Sequence, residues 1–335
     1  MIDFKESRKW NMFKLATIIV SLLSRHPCQA TELLTEATLQ AETLQDFQYL
    51  RYGVDVSFPM HHHMPDDIKT SDCGRNDRLK EFALDRLDYY KNHFLKGCRD
   101  AFGEESCRRS EDERIEMSKR QPATMKNMTK GLGFHKMKLP PELFARILEF
   151  WHQNQHQASQ EGWPAGSTYL NHWESMPWAL PVDNITLLGG GYELTQLIWD
   201  GLLQIISEWT GQELQHASMY GIRIYRTNAV LATHVDRNPL ISSAIINVAQ
   251  DIVEPWPLEV IGHDGFAYNV TMEPGDLVLY ESHSILHGRP FPLQGKFMAN
   301  LFVHFEPISP DAKLHDLPIY KQPMKPSKNF ICVNH

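Results

Sequence analysis

Downstream of Gly211 the chain breaks into short β-rich runs with turn signals between them. No segment long enough to be a crossover helix intervenes. The runs fall at 221–226, 229–235, 241–248, 258–262, 266–272, 277–280 and 297–305, punctuated by Pro274-Gly275-Asp276 and Gly288-Arg289-Pro290. Parallel strands need helical crossovers, so this pattern excludes a doubly wound sheet and predicts an antiparallel sandwich or jelly roll. Helices are predicted upstream. Pro140-Pro141-Glu142 opens one with Phe144, Ile147, Leu148 and Trp151 on a single face. Gly189-Gly190-Gly191 precedes another, carrying Leu194, Ile198, Leu202, Ile205 and Trp209. Those glycines are no phosphate loop, because no Gly-Lys-Ser/Thr follows. The expected class is therefore α+β, a jelly roll of residues 136–310 with supporting helices, an N-terminal helical or loop region at 31–135, and a tail at 311–335.

The amino terminus points to a cellular route. Lys5, Arg8, Lys9 and Lys14 precede an apolar run from Leu15 to Leu23, and Cys28-Gln29-Ala30 offers small residues at a cleavage site. Residues 1–30 thus have the build of a secretory signal peptide or a signal anchor, and only an uncleaved anchor would involve a membrane. Secretion agrees with three acceptor sequons, at Asn127, Asn184 and Asn269. It also agrees with four cysteines after residue 30: Cys73, Cys98, Cys107 and Cys332. Cys98 and Cys107, near neighbours in a polar, loop-like stretch, are the first pair expected to bridge. With a formal charge of −8 spread along the chain, no basic face for nucleic acid is expected.

Chemistry concentrates between Tyr220 and Glu306. In Thr233-His234-Val235-Asp236 the histidine and the carboxylate are two apart on a β-rich run, which turns both to one face. His287 must join them from another strand. Two imidazoles and one carboxylate on one face of an octahedral ion leave three positions open, the arrangement of ferrous oxygenases; a structural zinc site would close all four. Lys296 leads into the apolar strand Phe297–Val303, and a lysine there is costly to bury unless an anion meets it. Arg289, two residues after His287, is the other candidate for that anion or for substrate. His61-His62-His63 is read as a solvated loop, since neighbours in an extended chain point to opposite sides. The Arg- and Glu-rich stretch up to Gln121 reads as a solvent-facing helix or loop. The aromatics Trp163, Tyr169, Trp173 and Trp178 either line a peptide or sugar groove or pack over a sheet.

Tyr225 with His234-Val235-Asp236, His287 and Lys296 resembles the catalytic domain of prolyl 4-hydroxylases of the Fe(II)/2-oxoglutarate dioxygenases. Glu273–Tyr280 is similar to the turn and strand before the distal histidine of that family. The resemblance covers about a quarter of the chain. It implies a double-stranded β-helix, iron on His234, Asp236 and His287, and 2-oxoglutarate held by Lys296 with help from Tyr225. It also implies dioxygen as cosubstrate, ascorbate as accessory reductant, and a protein or peptide substrate hydroxylated at proline, which the signal-like start moves to the endoplasmic reticulum lumen or beyond. The alternatives are the same chemistry on another residue, a glycan or a small molecule, or a secreted jelly-roll binding protein without turnover. Arg226-Thr227-Asn228-Ala229 departs from the Gly-rich segment that follows this tyrosine in many members.

Overall fold

The computed structural model describes residues 49–53, 88–263 and 266–309. The signal-like segment, His61–His63, Cys73, Cys332 and the 311–335 tail lie outside the described residues. From Tyr49 onward the described residues form one compact unit. It opens with strand β1 (Tyr49–Gly53), a π-helical turn (Tyr90–Leu95), and helices α1 (Lys96–Phe102) and α2 (Glu104–Thr124). Strand β2 (Phe134–Lys138), helix α3 (Pro141–Asn154), the short strands β3 (Ser159–Gln160) and β4 (Trp178–Leu180), and helix α4 (Tyr192–Thr210) follow. Eight strands complete it: β5 (Leu214–Arg226), β6 (Leu231–His234), β7 (Ser242–Ile252), β8 (Leu258–Ile261), β9 (Phe266–Val270), β10 (Asp276–Tyr280), β11 (His287–Arg289) and β12 (Gly295–Pro307).

The strands form two antiparallel sheets, ordered β1-β9-β8-β11-β6 and β2-β10-β7-β12-β5-β4-β3. This is the jelly roll that the run pattern predicts, in the double-stranded β-helix form that the resemblance implies. The boundary drawn at residue 135/136 falls inside β2, and α1 and α2 lie in the same compact unit as the sheets, as an N-terminal helical layer would.

Alternation along the strands divides the core in two. Tyr225, Ile245, Val278, Tyr280, Met298 and Phe302 point between the sheets, where they meet Leu258, Val260 and Tyr268. Their neighbours Ile224, Ile246, Leu277, Leu279, Leu301 and Val303 point outward beneath Ile147, Phe150 and Trp151 of α3 and Ile198, Leu202 and Ile206 of α4. Burial on both faces keeps β7 from Ser242 to Val248, and the whole of β10, out of solvent. Helix α4 stops at Gly211, whose φ of 66° is left-handed and whose N–H bonds to the Ser207 carbonyl. Cys98 and Cys107 form the expected disulfide, tying α1 to α2. Among the described residues no helix is long and apolar enough to cross a membrane.

Candidate metal centre

His234 ends β6 and stands opposite His287, the first residue of β11, in antiparallel register. Their rings lie 4.4 Å apart, centroid to centroid. His287 stands on a strand of its own, as expected, although the Gly288-Arg289-Pro290 that follows carries turn composition. The strand forms because Gly288 lets two backbones meet. A Cβ there would sit 2.8 Å from the Leu231 carbonyl oxygen and from Thr233 Cα. Each imidazole donates Nδ1–H to the carbonyl two residues before it, His234 to Ala232 (2.7 Å) and His287 to Ile285 (2.8 Å). Those bonds fix the tautomer and leave both Nε2 lone pairs free. The Nε2 atoms lie 3.6 and 3.9 Å from Asp236 Oδ1. Asp236 lies just past the end of β6, and one ligand atom from each of the three residues falls within 4.8 Å of the others. Two neutral imidazole donors and a carboxylate oxygen around one small space fit a divalent metal ion of the ferrous type.

The electrostatics favour the ligating protonation states. Burial alone would raise the Asp236 carboxyl, but His234, His287 and His304 facing it outweigh that and hold it below the usual carboxylate range. Burial, aided by the neighbouring His234, lowers His287 to about 4, so its imidazole is neutral near pH 7. His304, on β12, is likewise lowered to about 4 by burial. Its Nδ1 is 2.6 Å from Ser243 Oγ and 3.8 Å from Asp236 Oδ2, which places it behind the carboxylate. Sequence reasoning passed over His304. The available signal was a histidine on the inward alternation of an apolar strand, two residues beyond Phe302.

A cavity of about 730 Å³ opens over these groups. Trp163, Tyr169, Tyr220, Arg223 and Phe302 are among the residues lining it. Glu161 holds Arg223 through two hydrogen bonds, one of them 2.6 Å from Arg223 Nε. Trp163 and Tyr169 thus belong to a groove, as one sequence reading had it. Trp173 instead packs against Phe94 and Phe102, and Trp178 lies under Arg226.

The structure corrects Lys296. Its side chain is 81% exposed and pairs with Asp251 at 2.7 Å, so no buried lysine awaits an anion. Lys296 does lie on the inward alternation of β12, but eight residues before His304, roughly 26 Å along the strand. Gly295 and Phe297 on either side of it still pair with β7, and there the side chain meets Asp251 of that strand. Arg289 takes the interior position instead. It is 1% exposed, and its guanidinium lies 5.7 Å from the Tyr225 ring centroid and 4.9 Å from that of Trp256. Nη2 donates to Asn300 Oδ1 at 2.8 Å, while Nε and Nη1 are buried with no hydrogen-bond partner. Burial pulls this guanidinium below its ordinary range. A buried cation with idle donors is a site for an anion. Tyr225 is fully buried with its hydroxyl also unpartnered. Arg289 follows His287 by two residues on β11, with a register irregularity between them.

Fold and centre together define the class: a jelly-roll protein with a two-histidine, one-carboxylate metal-binding site at the mouth of its barrel. No protein-family model matches the chain, and no curated protein sequence matches it. Solved structures do show likeness. A prolyl-4-hydroxylase of Pseudomonas putida is 16% identical over 53% of this chain and 94% of its own, with a TM-score of 0.38. A prolyl hydroxylase from Trichoplax adhaerens, in complex with a hypoxia inducible factor peptide fragment, is 14% identical over 58% and 93%, at 0.38. HygX of Streptomyces hygroscopicus, with nickel, 2-oxoglutarate and hygromycin B bound, is 12% identical over 53% and 84%, at 0.38.

Proposed function

We propose that this protein is an Fe(II)- and 2-oxoglutarate-dependent dioxygenase that hydroxylates peptidyl proline in proteins of the secretory pathway. One observation carries the chemistry: His234, Asp236 and His287 converge beneath a cavity, with the unpaired, buried Arg289 in the barrel interior. The three residues would hold iron on one face and leave positions open to cosubstrate and dioxygen. Arg289, in place of Lys296, would bind the distal carboxylate of 2-oxoglutarate, with the Tyr225 hydroxyl beside it. Bound iron and 2-oxoglutarate supply the oxidising power to hydroxylate an unactivated carbon, as cofactors generally carry the hard chemistry. The chain's own residues position and shield. The Nδ1 bonds keep both imidazoles in ligating orientation, the apolar interior excludes water, and Trp163, Tyr169 and Tyr220 offer flat faces to the substrate at the mouth.

Proline as substrate rests on the sequence resemblance and on this aromatic rim, which suits a pyrrolidine ring. The secretory reading is supported by the Cys98–Cys107 disulfide and by the exposed Asn127. Asn269 is only 8% exposed on β9 and is a poor glycan acceptor. The test is succinate release from 2-oxoglutarate by purified protein with ferrous iron and ascorbate, alongside mass spectrometry of proline-rich peptides. Coupled gain of one oxygen on proline is expected. Iron-dependent succinate with the oxygen on another residue or a glycan would move the substrate assignment, and absence of iron-dependent succinate would end the dioxygenase reading.

A further inference from the structure

Asp236 is a metal ligand that lies beyond the end of its strand, so the barrel ladder does not hold it. Its N–H donates to the Ser282 carbonyl at 2.8 Å. Its carbonyl is held from outside the sheets altogether. Gln121, 4% exposed on the last turn of α2, donates Nε2–H to Asp236 O and also to His283 O, each at 2.7 Å. A primary amide has two N–H protons, so one side chain satisfies both carbonyls. The two carbonyls belong to different ligand-bearing segments, since His283 sits in the turn that leads into His287. Two turns earlier on α2, Arg114 is fully buried and donates Nη1–H to Thr233 O, the residue before His234, at 2.8 Å. Arg114 is steadied in turn by the Tyr90 hydroxyl, which donates to Glu111.

Glu111, Arg114, Ser118 and Gln121 are the buried polar residues of α2, and their spacing puts them on one face of the helix. They make a polar seam whose donors reach the backbone at 233, 236 and 283. We infer that Gln121 is a positioning residue for the metal centre, clamping the Asp236 and His287 segments to each other through their carbonyls. The inference rests on the metal-site reading above. Metal ligands must be placed to within a few tenths of an ångström, and groups that orient them typically change metal affinity by about 10–100-fold.

The test uses full-length protein freed of metal and titrated with Mn(II) by calorimetry, and with Co(II) followed by its visible absorption. Gln121→Met keeps the side-chain length and removes both donors. Ser118→Ala on the same face is the control, because Ser118 Oγ bonds only within the helix, to the Arg114 carbonyl at 2.7 Å. Gln121→Met is expected to weaken Mn(II) binding at least tenfold and to alter the Co(II) spectrum, while Ser118→Ala stays within twofold of wild type with an unchanged spectrum. If Gln121→Met does not fold, Gln121→Asn, which keeps an amide but reaches only one carbonyl, is read by the same criteria. Unchanged affinity and spectrum in the Gln121 variant, or an equal loss in Ser118→Ala, would overturn the inference and leave the metal site standing. Failure of the wild type to bind either ion would remove the metal-site reading and this inference with it.

Discussion

Arg289→Met separates the two candidate anion anchors most sharply. The substitution replaces the buried guanidinium by an unbranched apolar chain and leaves His234, Asp236 and His287 intact. In the cosubstrate-free protein two opposing terms nearly cancel. An unpaired buried cation is relieved, but Asn300 Oδ1 loses the donor 2.8 Å away, at a cost of about 1–3 kcal/mol. The melting temperature of this form should therefore stay within about 5 °C of wild type. Binding should change far more. Nε and Nη1 have no partner until an anion arrives, and each charge-assisted bond contributes about 1.5–3 kcal/mol. A loss of about 4 kcal/mol corresponds to roughly a thousandfold in Kd. The assay is calorimetric titration of 2-oxoglutarate into Mn(II)-loaded protein, with Lys296→Ala alongside. That surface variant should stay within twofold of wild type, since Lys296 is spoken for by Asp251. Near-normal binding in Arg289→Met with a large loss in Lys296→Ala would refute the assignment and restore the family's position for the anchor.

The metal-free protein should lose stability as the medium is acidified from pH 6.5 to 4. Folded His287 and His304 titrate near 4 but would titrate near 6.5 unfolded, so in that window only the unfolded chain takes up their protons. Their contribution is complete above pH 6.5, falls by up to ~3 kcal/mol each on the way down, and levels off below 4; urea denaturation across the range reads it, and a flat profile would contradict it. Gly288→Ala drives a Cβ into the Leu231 carbonyl and Thr233 Cα, so thermal melting should show a loss of about 1–3 kcal/mol, with weaker Mn(II) binding as His287 shifts. Replacing Cys98 and Cys107 by serine reopens a nine-residue loop and should cost about 2–3 kcal/mol by denaturant titration, while equal stability would show that the bridge does not restrain the unfolded chain.

Much of the architecture could be read from local pattern. The seven β-rich runs all became strands, because alternation and turn residues act over a few positions and need no partner to be recognised. The eighth, β11, was expected at His287 but not through Gly288 and Arg289, which look like a turn until Gly288 is seen lying against Thr233. The stretch of α2 read only as a solvent-facing helix or loop, because its buried seam was hidden among surface Arg and Glu residues of the same kind. Arg114 differs from exposed Arg108 and Arg109 only in what lies opposite it.

The sequence by itself determined the donor set: His234, Asp236 and His287 are the right atoms in the right order, and ligand chemistry belongs to residue types. Tertiary structure alone decided which cation faces the barrel interior. Lys296 has the family's spacing, yet its side chain is exposed and paired with Asp251 of β7, while Arg289 is enclosed between Tyr225, Trp256 and Asn300. Whether a charge is buried depends on where its strand ends relative to every other strand. No window of neighbouring residues contains that distance.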